Sequence, residues 1–475
     1  MRHPTSTTSR RSRAVIGLLT LSLLAAACGG NKEGDAEAGR DGGESGLEAA
    51  GLTSASGESG LKEAGEPKRG GRLVYGLEAD TNGGYCLSEA QLAISGMMVV
   101  RALYDTLTVP NAEGDYVPYL AESVEPNEDF TEWTIKVREG ITFHDGSPLT
   151  AEVVKNNIDA YRGVYPGRSS LLFAFVLKNI AETAVVDDTT MTVKTTVPWV
   201  AFPAFLYSSS RFGIMAQAQL DDPETCGRKP IGTGPFEFVS WTPNQELKAE
   251  RNPDYWQIAP DGEPYPYADA IEFRPIPDGQ VRGQAIEAGD VDLIHTSNAA
   301  DIGNKFKGLR DDGKANMIVS EDNAEVGFIQ LNHTEPPFDD LRMRQAFAMG
   351  IDRDQLIEIL GQGLPTRADG PFAPDSMAHV DDTGFPAFDA TKAKALIEEY
   401  VADGGNPSFT LTSTTDPTVR KTAELVQQQA KALGLDIKIA MRDQAALIND
   451  AIGKKYQAML VRNYPGGDPD INYVW

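Results

Sequence analysis

Apolar positions along the chain come in short runs of two kinds, and the spacing within each run predicts what it forms. Residues 72–77, Arg72-Leu73-Val74-Tyr75-Gly76-Leu77, have strand character, and Trp133-Thr134-Ile135-Lys136-Val137 alternates like a half-buried strand. Leu92–Tyr104 is apolar on most faces, which predicts a buried helix. Thr150 stands where it can cap a helix from Ala151 to Tyr161, and Thr190–Val197 reads as a strand bounded by Asp187-Asp188 and Pro198. The last third has a regular rhythm: strand at Phe409–Thr412, amphipathic helix at Val419–Leu433 stopped by Gly434, strand at Leu435–Ala440, helix at Gln444–Ile452, strand at Tyr456–Arg462. Strands alternating with helices at this spacing predict βαβ units, a parallel sheet and an α/β fold.

In open α/β sheets ligands bind outside the carboxyl ends of the strands. The turn Asn463-Tyr464-Pro465-Gly466-Gly467-Asp468-Pro469-Asp470, directly after the last strand, is therefore the site candidate that pattern alone produces. The chain stops soon after, at Trp475, and this is expected to leave the fold without its C-terminal part.

The amino-terminal end has its own pattern. Arg2, Arg10, Arg11 and Arg13 precede an uncharged apolar run from Ala14 to Ala27, too short to span a bilayer, which ends in Ala25-Ala26-Ala27-Cys28. A basic region, an apolar stretch and small residues before a cysteine have the layout of a bacterial lipoprotein signal, residues 1–27, with Cys28 as the lipidated first residue of the mature chain. The arginine pair also fits twin-arginine export. Residues 28–70 follow with few large apolar side chains among Gly, Ser, Glu, Asp and Ala, a composition expected of a flexible tether.

Charge narrows the partners. The formal net charge is -26, a balance that repels nucleic acid and anionic lipid, so membrane contact is expected through the N-terminal lipid only. With Cys28 lipidated, two of the three cysteines remain, Cys86 and Cys226, and a disulfide between them is the simplest account in an oxidising compartment. The alternative is a pair of buried thiols. The five histidines are scattered, with no zinc spacing, and neither a metal nor another cofactor is expected. No Ser/His or Cys/His arrangement and no opposed pair of acids suggests catalysis. Gly232-Thr233-Gly234 runs into Pro235-Phe236 and a strand, a tight turn and not a dinucleotide loop. His144-Asp145-Gly146-Ser147-Pro148 likewise reads as a turn.

Four blocks, in order, resemble one family. They are Pro118–Ser123 with Trp133–Ala151 (WTIKVREGITFHDGSPLTA); Pro230–Phe236 (PIGTGPF) with Arg251–Trp256 (RNPDYW); Ile286–Ile294 (IEAGDVDLI); and Gly327–Asn332 (GFIQLN) with Pro336–Ala348 (PPFDDLRMRQAFA) and Ile351-Asp352-Arg353. The chain from Arg72 to Trp475 is similar to the extracellular solute-binding proteins of peptide, nickel and oligopeptide ABC importers, family 5. The resemblance implies a two-lobed clamp that closes by hinge motion around a peptide or other small solute and docks on ABC permease subunits, capturing and delivering without catalysis; nothing in the sequence requires more than a monomer. It implies lobe one at residues 71–112 and 228–318, an extra subdomain of that lobe at 113–227, and lobe two at 319–475. Relatives that bind peptides often place an aspartate for the α-amino group where this chain has Asn463. Tyr464, Asp468 or Asp470, with Tyr85 from lobe one and Asn332 near the crossover, complete the expected ligand-binding set. Import, presentation of the solute to a membrane sensor, and a non-peptide cargo such as a nickel complex or a sugar all fit this resemblance.

Overall fold

The computed structural model describes residues 52, 66–81, 83–90, 92–170, 172–208, 211–319, 325–374, 376–463 and 468–470. Cys28, Tyr464 and the proposed signal lie outside the described residues, as do the last five positions. The chain enters through β1 (Arg72–Leu77) and α1 (Ile94–Leu103), then runs through β2 (Thr108–Pro110), β3 (Tyr116–Pro118), β4 (Ala121–Pro126), β5 (Glu132–Val137), α2 (Ala151–Tyr161), β6 (Ile180–Val185) and β7 (Thr190–Thr195). It returns with β8 (Phe236–Thr242), β9 (Glu246–Arg251), β10 (Ala270–Pro275), α3 (Gly279–Ala288) and β11 (Leu293–Ile294). A second set follows: β12 (Val326–Leu331), α4 (Leu341–Gly350), α5 (Arg353–Gly361), α6 (Ala390–Ala402), β13 (Ser408–Thr414), α7 (Pro417–Ala432), β14 (Asp436–Arg442), α8 (Gln444–Ile452) and β15 (Ala458–Asn463).

Local signals account for the element ends. Along β5 the side chains of Trp133, Ile135 and Val137 are buried and their neighbours half-buried, the period-two pattern of a strand with one face on a core. Thr150 Oγ1 accepts from Val153 N at 3.3 Å, capping α2 as its position predicts. In α7 the Asp416 carboxylate accepts from the backbone N–H groups of Thr418 and Val419, Pro417 occupies the first turn, and Val419, Ala423, Val426 and Ala430 form the buried stripe.

The first lobe is built on a five-stranded sheet of order β11-β1-β10-β9-β8, in which β1 lies parallel to both β10 and β11. A second sheet, β4-β5-β7-β6, is antiparallel throughout and shares one continuous core with the first, so Trp133, Ile135 and Val193 are buried in the same cluster as Leu103 and Phe273. The second lobe has its own sheet, β12-β15-β13-β14, and its own core, centred on Phe338, Phe409, Leu411, Val426 and Ala458. There β13 is parallel to β14 and to β15, as the βαβ rhythm predicts, while β12 adds antiparallel to β15.

Two close backbone approaches hold the junction between the first two sheets. Gly84, at φ +70°, packs on Gly227, and Tyr85 N donates to Gly227 O at 2.8 Å; beside them Cys86 and Cys226 are joined in a disulfide. Gly232 and Gly234 lie directly against the Leu103 backbone, where a Cβ would overlap it. His144 braces this turn, accepting from Gly232 N through Nδ1 at 3.2 Å and meeting Gly234 O with Nε2 at 3.0 Å. Both segments are thus structural, as the sequence suggests. Nearby, buried Asp105 accepts from Thr233 Oγ1 (2.9 Å), Trp256 Nε1 (3.0 Å) and Tyr255 OH (3.2 Å), and burial pushes its carboxyl up to about 6 against the pull of these donors.

Several described residues within 28–70 depart from the expectation of a flexible tether: Arg69 donates to Asp261 through Nε and Nη2, both at 2.7 Å, and Gly70 N donates to Tyr267 O at 2.9 Å. Leu52 is buried, against Leu364 and its apolar neighbours. Among the described residues no helix is long and apolar enough to cross a membrane.

Candidate functional site

The carboxyl ends of the parallel strands in each lobe gather polar side chains, and these meet along the seam between lobes. In the first lobe β1 runs straight into Glu78, and β11 into His295, Thr296 and Ser297. Glu78 Oε1 accepts from Ser297 N (2.9 Å), Thr296 Oγ1 (3.2 Å) and Arg282 Nη2 (3.3 Å), and Oε2 from Ser297 Oγ (2.9 Å). Arg282 reaches it from α3, almost fully buried, with Nη1 donating to the carbonyls of Ile276 (2.7 Å) and Pro277 (2.9 Å). His295 Nδ1 stands 3.7 Å from Glu78 Oε2; burial pushes its pKa below the usual histidine range, Glu78 pulls against this, and Arg282 and Arg101 add to it.

In the second lobe the same end of the sheet carries Thr414, Arg442 and Asn463, the last residues of β13, β14 and β15. Because β12 is antiparallel, its first residue, Val326, sits opposite Asn463, and Glu325 is brought to this edge. Glu325 Oε2 is 3.7 Å from Arg462 Nη1. Burial holds its carboxyl above the usual range; the charges of Glu78, across the seam, and Asp416 push the same way, and Arg462 and Arg211 oppose them. The charge of Glu78 in the first lobe thus bears on Glu325 in the second.

Two direct bonds also cross the seam. Asn298 Nδ2 donates to Thr418 Oγ1 at 3.3 Å, and Trp199 Nε1 donates to Asp470 Oδ2 at 3.0 Å. Trp199 is otherwise buried against Phe202 and Phe205. Trp199→Phe keeps that packing and deletes the bond, so it is expected to weaken lobe association by about 1.5 kcal/mol. A larger radius of gyration by small-angle scattering would register the loss; an unchanged profile would show that the bond does not hold the lobes.

The expected ligand-binding residues do not all gather here. Tyr85 lies buried in the first lobe, edge-on to Trp241 with ring centroids 5.2 Å apart, because the Gly84–Gly227 contact turns it inward beside the disulfide. Asn332 is likewise committed to its own lobe: Nδ2 donates to the carbonyls of Tyr456 (2.9 Å) and Lys454 (3.3 Å), and Oδ1 accepts from Thr334 Oγ1 (2.7 Å) and N (3.1 Å). With every hydrogen-bonding position occupied, Asn332 ties the end of β12 to the approach to β15. Asp468 Oδ1 accepts from Asp470 N at 2.9 Å, a turn cap, and burial raises its pKa. Asn463 ends β15 at the seam, Asp470 takes the Trp199 bond, and Tyr464 lies outside the described residues. Glu78, Glu325 and Arg282 were missed in the sequence. Of these Glu78 was legible, since it follows the first strand directly, where the carboxyl-end rule points. Among the described residues no group of three or more His, Cys, Asp or Glu is arranged to hold a metal ion.

Two lobes with separate cores, and parallel strands ending at a common polar seam, form a clamp of the kind that holds a ligand between its halves. The chain belongs to the bacterial extracellular solute-binding proteins, family 5, whose model matches residues 115–475. It is 27% identical over 369 residues to the glutathione-binding protein GsiB of Escherichia coli (strain K12), spanning 78% of this chain and 69% of that one. The fold is similar to that of the periplasmic binding protein DppA from Helicobacter pylori in complex with the peptide STSA (TM-score 0.72, 22% identity, 86% of this chain and 81% of that chain). It is also similar to NikA from Brucella suis in complex with Fe(III)-EDTA (TM-score 0.67, 24% identity, 85% and 81%).

Proposed function

We propose that this protein captures a peptide or peptide-like solute in the seam between its lobes and delivers it to the permease of an ABC importer, held at the outer face of the cell membrane by a lipid on Cys28. The family, and relatives whose names or bound ligands are peptides, support this reading. The observation that supports it is the polar seam where the carboxyl ends of both lobes' parallel strands come together, with Glu78 following β1 and Glu325 preceding β12 beside the end of β15. Two carboxylates on opposite lobes disfavour closure by themselves; an ammonium group between them converts repulsion into attraction, so it binds the closed arrangement more tightly and drives closure. Glu325, next to Asn463 in the β12–β15 register, supplies the negative charge that the amide at 463 lacks.

Native mass spectrometry of the purified protein tests the cargo. A set of released masses that sequence as peptides supports the reading, and a single non-peptide mass overturns the peptide assignment. In Glu325→Gln, affinity for the recovered peptides is expected to fall roughly 10- to 100-fold, with Glu325→Asp retaining most of it. The pH dependence follows from the raised pKa of Glu325. Only the ionised form pairs with ammonium, so as pH falls affinity is lost earlier than an ordinary glutamate, at about 4.3, would lose it. Calorimetry across that range should show the loss in the natural chain and a flatter profile in Glu325→Gln; parallel profiles would exclude Glu325 from ammonium recognition.

A further inference from the structure

Within residues 29–69 large aliphatic side chains occur only at Leu47, Leu52 and Leu61, among Gly, Ser, Glu and Ala. Leu52 is 2% exposed. Its seat is made by Leu364 together with Ala299, Ile302, Met317 and Val319. These residues belong to both lobes. Ala299 and Ile302 open the helical segment that follows β11, Met317 and Val319 lie on the chain leaving it toward β12, and Leu364 follows α5. The surfaces meet closely beside the seat: a Cβ at Gly303 would stand 3.3 Å from Leu364 Cδ1 and 2.8 Å from Gln362 Oε1, and one at Gly361 would stand 3.5 Å from the Ala299 side chain. Leu52 therefore fills a notch whose walls belong to different lobes, next to where the chain crosses between them.

We infer that the Leu52 side chain is a built-in plug that fills this interlobe notch and opposes separation of the lobes at the crossover. A hinge rotation that draws residues 299–302 and 317–319 away from Leu364 opens the notch and exposes Leu52 to water, so the seat is complete in only one arrangement of the lobes. An isolated apolar residue in a polar segment has no other reason in its local sequence to be buried. The plug acts without ligand, and its test does not depend on the peptide reading.

Hydrogen exchange on the full-length chain in detergent micelles, comparing the natural protein with Leu52→Asp and Leu52→Met, decides the matter. A carboxylate cannot stay in the notch unpaired, whereas methionine fills a similar volume. In Leu52→Asp the peptides covering 299–306 and 361–365 are expected to exchange roughly tenfold faster or more, while Leu52→Met stays close to the natural chain. Exchange in the paired strands β1 with β10 and β13 with β14 should not change. Unaltered exchange at the notch overturns the inference. So does a rise spread evenly over both sheets, which would make Leu52 a general contributor to stability with no particular hold on the seam.

Discussion

Removing the disulfide by replacing both Cys86 and Cys226 with serine is expected to destabilise the first lobe by about 4–5 kcal/mol. The two residues stand 140 positions apart in the chain, so the bond closes a long loop and withdraws many conformations from the unfolded ensemble. The whole of the β2–β7 region lies inside that loop. Because this region and the five-stranded sheet share one core, the loss should appear as a single earlier transition of the first lobe in urea, with the second lobe's transition unmoved. Both sulfurs belong to buried residues, and Arg168 Nη1 donates to Cys86 Sγ at 3.2 Å. Reduction of the native protein should therefore be slow until it unfolds. A double variant with an unshifted urea midpoint would mean that the bond does not constrain the unfolded chain.

The other large effect is expected at Arg282. Its guanidinium satisfies two backbone carbonyls and anchors Glu78, and Asp301 Oδ2 lies 3.8 Å from Nη2. In Arg282→Met the apolar stem is replaced but the charge and its donors are lost. Glu78 and Asp301 are then left side by side without their cation, at a cost of about 3–5 kcal/mol. Chemical denaturation measures this directly. Adding Glu78→Gln to the variant should recover roughly 1–2 kcal/mol, because the second substitution removes the charge that the first left uncompensated. A single variant that loses less than about 1 kcal/mol would show that water replaces the guanidinium at no great cost. Arg282 also orients Glu78, so the variant should bind a peptide ligand more weakly even where it remains folded.

Much of the fold was legible along the chain. The alternation in β5, the Thr150 cap of α2, and the Asp416, Pro417 and Gly434 punctuation of α7 are each decided by a few neighbouring residues. The turn reading of Gly232-Thr233-Gly234 stands on the same basis, although the partner that requires glycine there, the Leu103 backbone, is about 130 residues away in sequence. The site was legible only in part. The carboxyl-end rule pointed to Asn463 and its loop, and the same rule would have reached Glu78. The bonds that commit Asn332 to its own lobe are not legible locally, because its partners at Lys454 and Tyr456 lie more than 120 residues along the chain. Nothing local in the sequence shows that Tyr85, bonded to Gly227, packs against Trp241.

By itself, then, the sequence determined the elements, the βαβ rhythm of the second lobe and the family, since periodicity, caps and motif blocks are properties of short stretches. The tertiary structure alone decided that β12 lies antiparallel beside β15 and so carries Glu325 to the seam, that the charge of Glu78 reaches it from the other lobe, and that Leu52 is buried against Leu364. Those arrangements depend on strand order and lobe contact between residues far apart in the chain, and a carboxylate or a leucine carries no local mark of which distant surface it will face.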